Sequence, residues 1–339
     1  MVGAKKKKWL LIIFTGIALL SLSVVAYAMY QYNQLFNRIY HPLEEEPEQL
    51  PIGTGSAANP NLHSTPNQEE QKEVLKPFTL LVMGIDSRGE EHSRSDTMLY
   101  TVVNPNSQKV AIVPIVRDIR VEIPGHGMQK MNHSMFLGGV PLVKKTVENF
   151  VGIPVQRYIT VDFEGFKRVI DEIGGIRINV KKRMKYTDPT DDTYIDLKKG
   201  WQTLNGQNAL YYARYRKSDI GRDDTDEERS DRQIEVIKAV FEQGKDKLSV
   251  FNIFSLMNIA GDHIKTDLSK KEIEMLIKNF HHFSADQVIS THIAGEGKRY
   301  PYGKYRLYFL DVNDAERQRI KEFLKNALNE GMNRKDLNE

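Results

Sequence analysis

Apolar residues fall in unbroken runs at some places and at helical spacing at others, and the two patterns outline the fold. Phe78 to Gly84 is a nearly continuous apolar run ending in glycine, the pattern of a buried strand. Asp96 to Val103 and Lys109 to Val116 predict two more strands, and the turn formers Asn104-Pro105-Asn106-Ser107 between them predict a hairpin. Pro114 lacks an amide hydrogen, which puts the second of these strands at an edge or beside a bulge. Gly138 to Phe150 and Phe163 to Ile173 carry helical spacing, the second stopping at Gly174-Gly175, a glycine C-cap. Ile176 to Val180 reads as a strand, Asn208 to Arg214 as a helix or the lead into the segment after it, and Gln233 to Phe241 as an amphipathic helix. Two helical stretches between Phe251 and Phe280, a strand at Gln287 to Ile293 and a closing helix at Asp314 to Leu328 follow. This alternation, without a solenoid repeat, predicts a single α/β domain over residues 76–330, a mixed central sheet packed by helices.

The chain ahead of that domain has a different character. Lys5 to Lys8 precede Trp9 to Tyr30, a run without a charged residue. As a helix rising about 1.5 Å per residue it reaches roughly 33 Å, enough to cross a bilayer. The lysines on one flank, against Arg38 and then Glu44-Glu45-Glu46 on the other, predict a single-pass transmembrane anchor at 9–30 with a cytoplasmic tail at 1–8 and everything later outside. Ala26-Tyr27-Ala28 offers the competing reading of a cleaved signal peptide, but the run is longer than the apolar part of such peptides. Residues 31–75 are read as an extracytoplasmic linker, since from His41 to Leu75 they are rich in Pro, Glu, Gln, Asn, Ser and Gly.

Composition narrows the chemistry only slightly. A net charge of +3 without a recognisable DNA-binding motif argues against nucleic acid as a partner. The absence of cysteine means an exported domain must rely on its core instead of disulfides, as suits a bacterial exterior. No G-x-S-x-G elbow, Walker loop, H-E-x-x-H or cysteine nucleophile is present, so direct displacement is expected in place of a covalent intermediate.

Four charged constellations remain. Asp86 and Arg88 follow the first strand, where open α/β sheets place ligands, although an exposed turn with a local ion pair gives the same pattern. Arg94-Ser95-Asp96-Thr97 opens the next strand; Asp86 and Asp96 would suit a hard cation with diphosphate oxygens, while a cap by Ser95 or Asp96 is the plainer alternative. In Arg117-Asp118-Ile119-Arg120, continued extension puts Arg120 on the face of Asp118, and a turn instead frees both arginines, with Lys130 a further cation nearby. Residues 211–233 interleave Arg214, Arg216, Arg222, Arg229 and Arg232 with acids, and arginine grips phosphate bidentately. A helix from Asp226 would put Asp226, Arg229 and Gln233 on one face with Arg232 beside them, although mixed charge runs usually mark a solvated helix start.

In order, GIDSR, RSDTM, VRDIRVEIPG, KMN, FEGFKRVIDEIGGI, ALYYARYR and DEERSDRQ resemble the LytR-CpsA-Psr family, collinearly over Phe78 to Ala239. The family's S-I-P-R-D is Pro114-Ile115-Val116-Arg117-Asp118 here, and its G-D-F-x-R is Thr225-Asp226-Glu227-Glu228-Arg229. The resemblance implies a Gram-positive cell-wall phosphotransferase, anchored in the membrane. Such an enzyme moves an anionic glycopolymer from an undecaprenyl-pyrophosphate carrier to a peptidoglycan acceptor, with the lipid in an apolar pocket between sheet and helices. Carried over by position, Asp86 and Asp96 would hold magnesium (or manganese). Arg88, Arg117, Arg120, Arg214, Arg216, Arg229 and Gln233, with Arg232 next to them, would bind the pyrophosphate. Asp86, Asp226 and Arg229 would be catalytic, either Asp86 or Asp226 taking the acceptor proton. A lipid-pyrophosphate phosphatase using water, and a carrier-binding regulator without turnover, use the same residues.

Overall fold

Phe78 to Ile85 becomes a strand covered on both faces, which is why its apolar run is unbroken. The computed structural model describes residues 29–43, 73–86, 95–190, 193–247, 261–280, 283–302 and 304–330, with short stretches at 23, 26–27, 52–54 and 258–259. The central sheet has six strands: β1 (Phe78–Ile85), β2 (Ser95–Asn104), β3 (Lys109–Pro114), β4 (Arg157–Asp162), β5 (Ile264–Thr266) and β6 (Val288–Ser290). Their spatial order is β5-β4-β1-β2-β3-β6. β1 runs parallel to β4, β3 parallel to β6, and the other neighbours are antiparallel. The predicted β2–β3 hairpin is closed by the Asn104 side chain, which accepts from the amides of Asn106 and Ser107. Pro114 pairs only with Leu99, beyond the stretch Val110 to Ile112 that also bonds β6, so its missing donor is not needed.

Alternate residues of β1 feed two cores. Leu81 and Met83 pack with α1 (His133–Val151) and α6 (Asp314–Asn329) on one face. Phe78 and Leu80 meet α5 (Lys270–Phe280) on the other. α1 begins five residues before the predicted start and is broken at Gly138 and Gly139; Gly139, at φ 62° and ψ −158°, adopts a conformation open only to glycine.

A third core lies beyond β4. It is built from α2 (Phe163–Glu172), α3 (Gly206–Arg214), α4 (Asp226–Lys247) and two antiparallel pairs, Ile176–Val180 with Gly200–Leu204 and Met184–Asp188 with Thr193–Leu197. Asp162 caps α2 by accepting from the Gly165 amide, and the helix ends at Gly174 and Gly175, both left-handed as the sequence predicted. α2 and α3 cross so closely that a Cβ on Gly206 would lie 2.1 Å from the Lys167 carbonyl oxygen.

Residues 31–43, expected to open the linker, pack against the domain instead. Residues 29–39 are helical with Leu35 and Ile39 buried, the His41 amide donates to the Thr266 carbonyl at 2.8 Å, and the Tyr158 hydroxyl donates to the His41 carbonyl at 2.5 Å. Most of the predicted anchor, residues 9–22, lies outside the described residues, as do 44–51 and 55–72 of the linker. Among the described residues no helix is long and apolar enough to cross a membrane.

Candidate active site

The carboxyl ends of β1, β3 and β4 and the start of β2 meet at one end of the sheet, the position where open α/β sheets hold ligands. Three segments converge on it: the turn at Arg117 and Asp118 after β3, the Arg214–Arg216 exit of α3, and the first turns of α4. Between them lies a 480 Å3 cleft whose wall includes Arg117, Arg214, Arg216, Arg229 and Gln233. An apolar pocket of 150 Å3 adjoins it, sandwiched between β1 and β2 on one side and α2, α3 and α4 on the other, with Val82, Leu99, Leu210, Ala213 and Val236 in its lining. Thr97, Phe163, Arg214 and Gln233 border both cavities, so the cationic cleft and the oily pocket stand side by side across one wall of residues.

Ion pairs fix the cationic end. Asp118 is buried and accepts from the Lys130 ammonium at 2.5 Å, with Arg117 Nε at 3.6 Å and Arg216 Nη1 at 4.0 Å. Burial alone would raise its carboxyl, but the Lys130 hydrogen bond and then the charges of Lys130, Arg117 and Arg216 hold it below the usual range. Arg216 Nη2 reaches to 3.7 Å from Asp226 Oδ1, and Arg229 Nη2 to 2.9 Å from the same oxygen. Asp226 Oδ1 is nevertheless buried without a hydrogen bond, because the Arg229 contact is off the donor direction. Arg214 lies over the Phe163 ring at 4.7 Å, and Gln233 donates to the Thr97 hydroxyl at 3.1 Å.

The arrangement gathers Arg117, Arg214, Arg216, Asp226, Arg229 and Gln233, and places Asp86 directly after β1 at the same sheet end. Two predicted phosphate ligands are elsewhere. Arg120 leaves the turn on the strand Arg120–Ile123 and stacks 4.1 Å over the Tyr300 ring, lining a different groove. Arg232 is buried; it donates to Asp224 Oδ2 at 2.7 Å, to the Tyr212 carbonyl at 2.9 Å and to the Tyr215 carbonyl, so its donors face the Tyr212–Asp224 segment. Arg222 bonds Glu228 at the surface. Arg88 and the side chain of Asp96 lie outside the described residues. Among the described residues no three acidic or histidine side chains cluster as a metal site.

Sequence reasoning missed Thr97, Phe163 and Tyr308. The first two stand inside recognised motifs, at the start of β2 and of α2, and their place at a strand or helix start was the available signal. Tyr308 comes from the strand Tyr305–Asp311, far along the chain, whose Leu310 amide donates to the Asp118 carbonyl at 2.9 Å. Burial, then the charges of Asp226 and Asp118 opposed by Arg216, raises its phenol.

A cleft of this kind, in an α/β fold, has the character that suits an amphiphile with an anionic head. The sequence profile of the LytR_cpsA_psr family matches residues 52–326, and the chain belongs to that family. It is 30% identical over 336 residues to the polyisoprenyl-teichoic acid--peptidoglycan teichoic acid transferase TagU of Bacillus licheniformis, covering 97% of this chain and 100% of that one. Among solved structures, B. subtilis TagV aligns with a TM-score of 0.63 at 29% identity, over 75% of this chain and 98% of TagV. The LytR-CPS2A-psr family protein YwtF (TagT) with bound octaprenyl pyrophosphate lipid aligns with a TM-score of 0.55 at 27% identity, over 75% of this chain and 90% of the other.

Proposed function

We propose that the protein is a phosphotransferase that moves an anionic glycopolymer, of the teichoic acid kind, from an undecaprenyl-pyrophosphate carrier to peptidoglycan. The observation that carries this reading is the adjoining of an arginine-lined cleft and an apolar pocket, which share Thr97, Phe163, Arg214 and Gln233. An isoprenoid pyrophosphate has that division of character. The relatives' names, and the lipid named with TagT, support the same substrate class. The apolar run Trp9 to Tyr30 would anchor the domain at the outer membrane surface, where the carrier presents its head.

In the reaction a sugar hydroxyl of peptidoglycan attacks the sugar-linked phosphorus. The new P–O bond forms as the bond to the bridging oxygen breaks, and undecaprenyl phosphate leaves with the electron pair. Negative charge grows on the departing phosphate. Arg117, Arg214, Arg216 and Arg229 meet it with fixed donors that need no rearrangement. The hydroxyl proton would pass to Asp226, whose Oδ1 faces Arg229 at 2.9 Å and Arg216 at 3.7 Å, or to Asp86. Asp86 follows Ile85, and Asp96 follows Ser95, the partner of Ile85 across the β1–β2 pair; two carboxylates completed by diphosphate oxygens would suit magnesium (or manganese). When bound there the ion would neutralise diphosphate charge.

Arg229→Ala should leave a folded protein whose transfer rate falls by about 10²–10³, the usual effect of losing one transition-state donor, and Asp86→Ala a folded protein whose rate falls as well. Circular dichroism establishes folding, and transfer of polymer to peptidoglycan is the readout. Wild-type rates in both variants would sink the proposal.

A further inference from the structure

We infer that the groove holding Arg120 is the acceptor site, and that it recognises the zwitterionic peptide carried by an uncross-linked peptidoglycan strand; this rests on the function proposed above. The groove, 980 Å3, lies between the hairpin Arg120–Ile123/Gly127–Lys130, the hairpin Glu296–Tyr302/Tyr305–Asp311, the end of α1 and the start of α6.

Its position relative to the cleft follows from shared residues. Asp118 contacts Arg117 and Arg216, which line the cleft, and Lys130, which stands on the hairpin of Arg120. Lys130 is the register partner of Arg120 across the hairpin, so both side chains lie on one face, and Arg120 lines the groove. The order across the molecule is therefore apolar pocket, arginine cleft, Asp118, groove. In phosphoryl transfer the attacking and leaving oxygens stand on opposite sides of phosphorus. A leaving lipid phosphate held towards the apolar pocket requires the nucleophile to arrive from the Asp118 side, which Lys130 ties to the hairpin that lines the groove. The donor's own polymer has no such constraint.

The groove's charges supply the chemistry. Most are already engaged: Lys298 with Glu296 at 2.8 Å and Arg319 with Glu316 at 2.7 Å. Arg120 and Glu122 differ. Among the described residues neither has an oppositely charged partner, and the Arg120 guanidinium is held flat by Tyr300. Two residues apart on one strand, they share a face at about 6.6 Å. A guanidinium takes a carboxylate and a carboxylate takes an ammonium. A ligand bearing both, next to a sugar hydroxyl, matches the peptide-substituted wall strand.

The test uses the full chain, octaprenyl pyrophosphate as the donor-site probe, and soluble glycan strands with and without their peptides as acceptors for a lipid-linked teichoic acid. Arg120→Ala and Glu122→Gln should each raise KM for peptide-bearing strands about tenfold while octaprenyl pyrophosphate affinity holds, with Arg120→Lys recovering part of the loss. Wild type should favour peptide-bearing over stripped strands, and the double variant should not. Unchanged KM in every variant would overturn the assignment, and so would octaprenyl pyrophosphate affinity falling in step with transfer, which would give the groove to the donor. If wild type transfers to neither acceptor, the proposed function fails and the inference with it; if it transfers and the variants match it, only the groove assignment fails.

Discussion

Arg232→Ala should weaken the wall of the cleft instead of removing a phosphate ligand. The guanidinium bonds Asp224 and the carbonyls of Tyr212 and Tyr215, and the side chains of Arg232 and Asp224 are 7% and 0% exposed. Truncation strands a fully buried carboxylate and leaves two carbonyls short of a donor. Breaking a buried pair from one side costs about 3–5 kcal/mol. The Lys182 ammonium still meets the other Asp224 oxygen, but from a side chain 40% exposed, so the lower end applies, about 3 kcal/mol. For a domain of this size that lowers Tm by about 6–12 °C.

Urea unfolding reads the loss directly, provided the m value is unchanged. Combining Arg232→Ala with Asp224→Asn should cost less than the sum of the single changes by about 1–3 kcal/mol, because the stranded charge is then gone. The folded fraction of Arg232→Ala should bind octaprenyl pyrophosphate within a few-fold of wild type. A stability loss below about 1 kcal/mol together with a roughly tenfold weaker affinity would refute the reasoning and return Arg232 to the phosphate ligands.

Ala213 faces the apolar pocket, and Ala213→Phe should lower octaprenyl pyrophosphate affinity by about tenfold or more while leaving inorganic pyrophosphate binding unchanged; equal effects on both ligands would mean the pocket does not hold the tail. Gly206→Ala should cost about 1–3 kcal/mol or more in urea unfolding, since its Cβ would meet the Lys167 carbonyl at 2.1 Å, and a neutral effect would show that α2 and α3 can part freely. Asp118 has a carboxyl held below the ordinary 3.8, so its stabilising effect is complete above that value and is lost as pH falls below it. Asp118→Asn should therefore be less stable than wild type near neutral pH, with the gap closing only as pH falls below the ordinary carboxyl value; a constant gap would point to packing instead of charge.

Local pattern was enough for much of this molecule. β1 announces itself because it is buried on both faces, α2 because Gly174 and Gly175 end it, and the β2–β3 hairpin because Asn104 closes it. Arg117, Arg214, Arg216, Arg229 and Gln233 were readable as a group for the same reason, since each stands at the end of a strand or near a helix terminus, where the fold directs it to one sheet end. The two misplacements have geometric causes. At about 100° per residue, Asp226, Arg229 and Gln233 fit within roughly 60° of α4, whereas Arg232 lies about 60° further round and faces the segment behind the cleft. Arg120 follows the turn at Arg117 and Asp118 onto a strand whose partner ring, Tyr300, is about 180 residues away, and no local spacing encodes that contact.

The first residues after the expected anchor failed as a linker on similar grounds. Their composition looks uncommitted, yet Leu35 and Ile39 are buried and His41 is bonded through Thr266 to the sheet edge. A helix fixed to β5 in this way sets the orientation of the domain relative to whatever precedes residue 29. The apolar pocket opens between β1, β2 and the helices on the face of the sheet that also carries α5, which packs beside this N-terminal helix through Tyr32 and Glu274. Under the proposed anchoring at Trp9 to Tyr30, carrier and enzyme would meet productively only with their heads at one height, and a connection packed on the domain at residues 29–43 would restrict that height far more than a free linker.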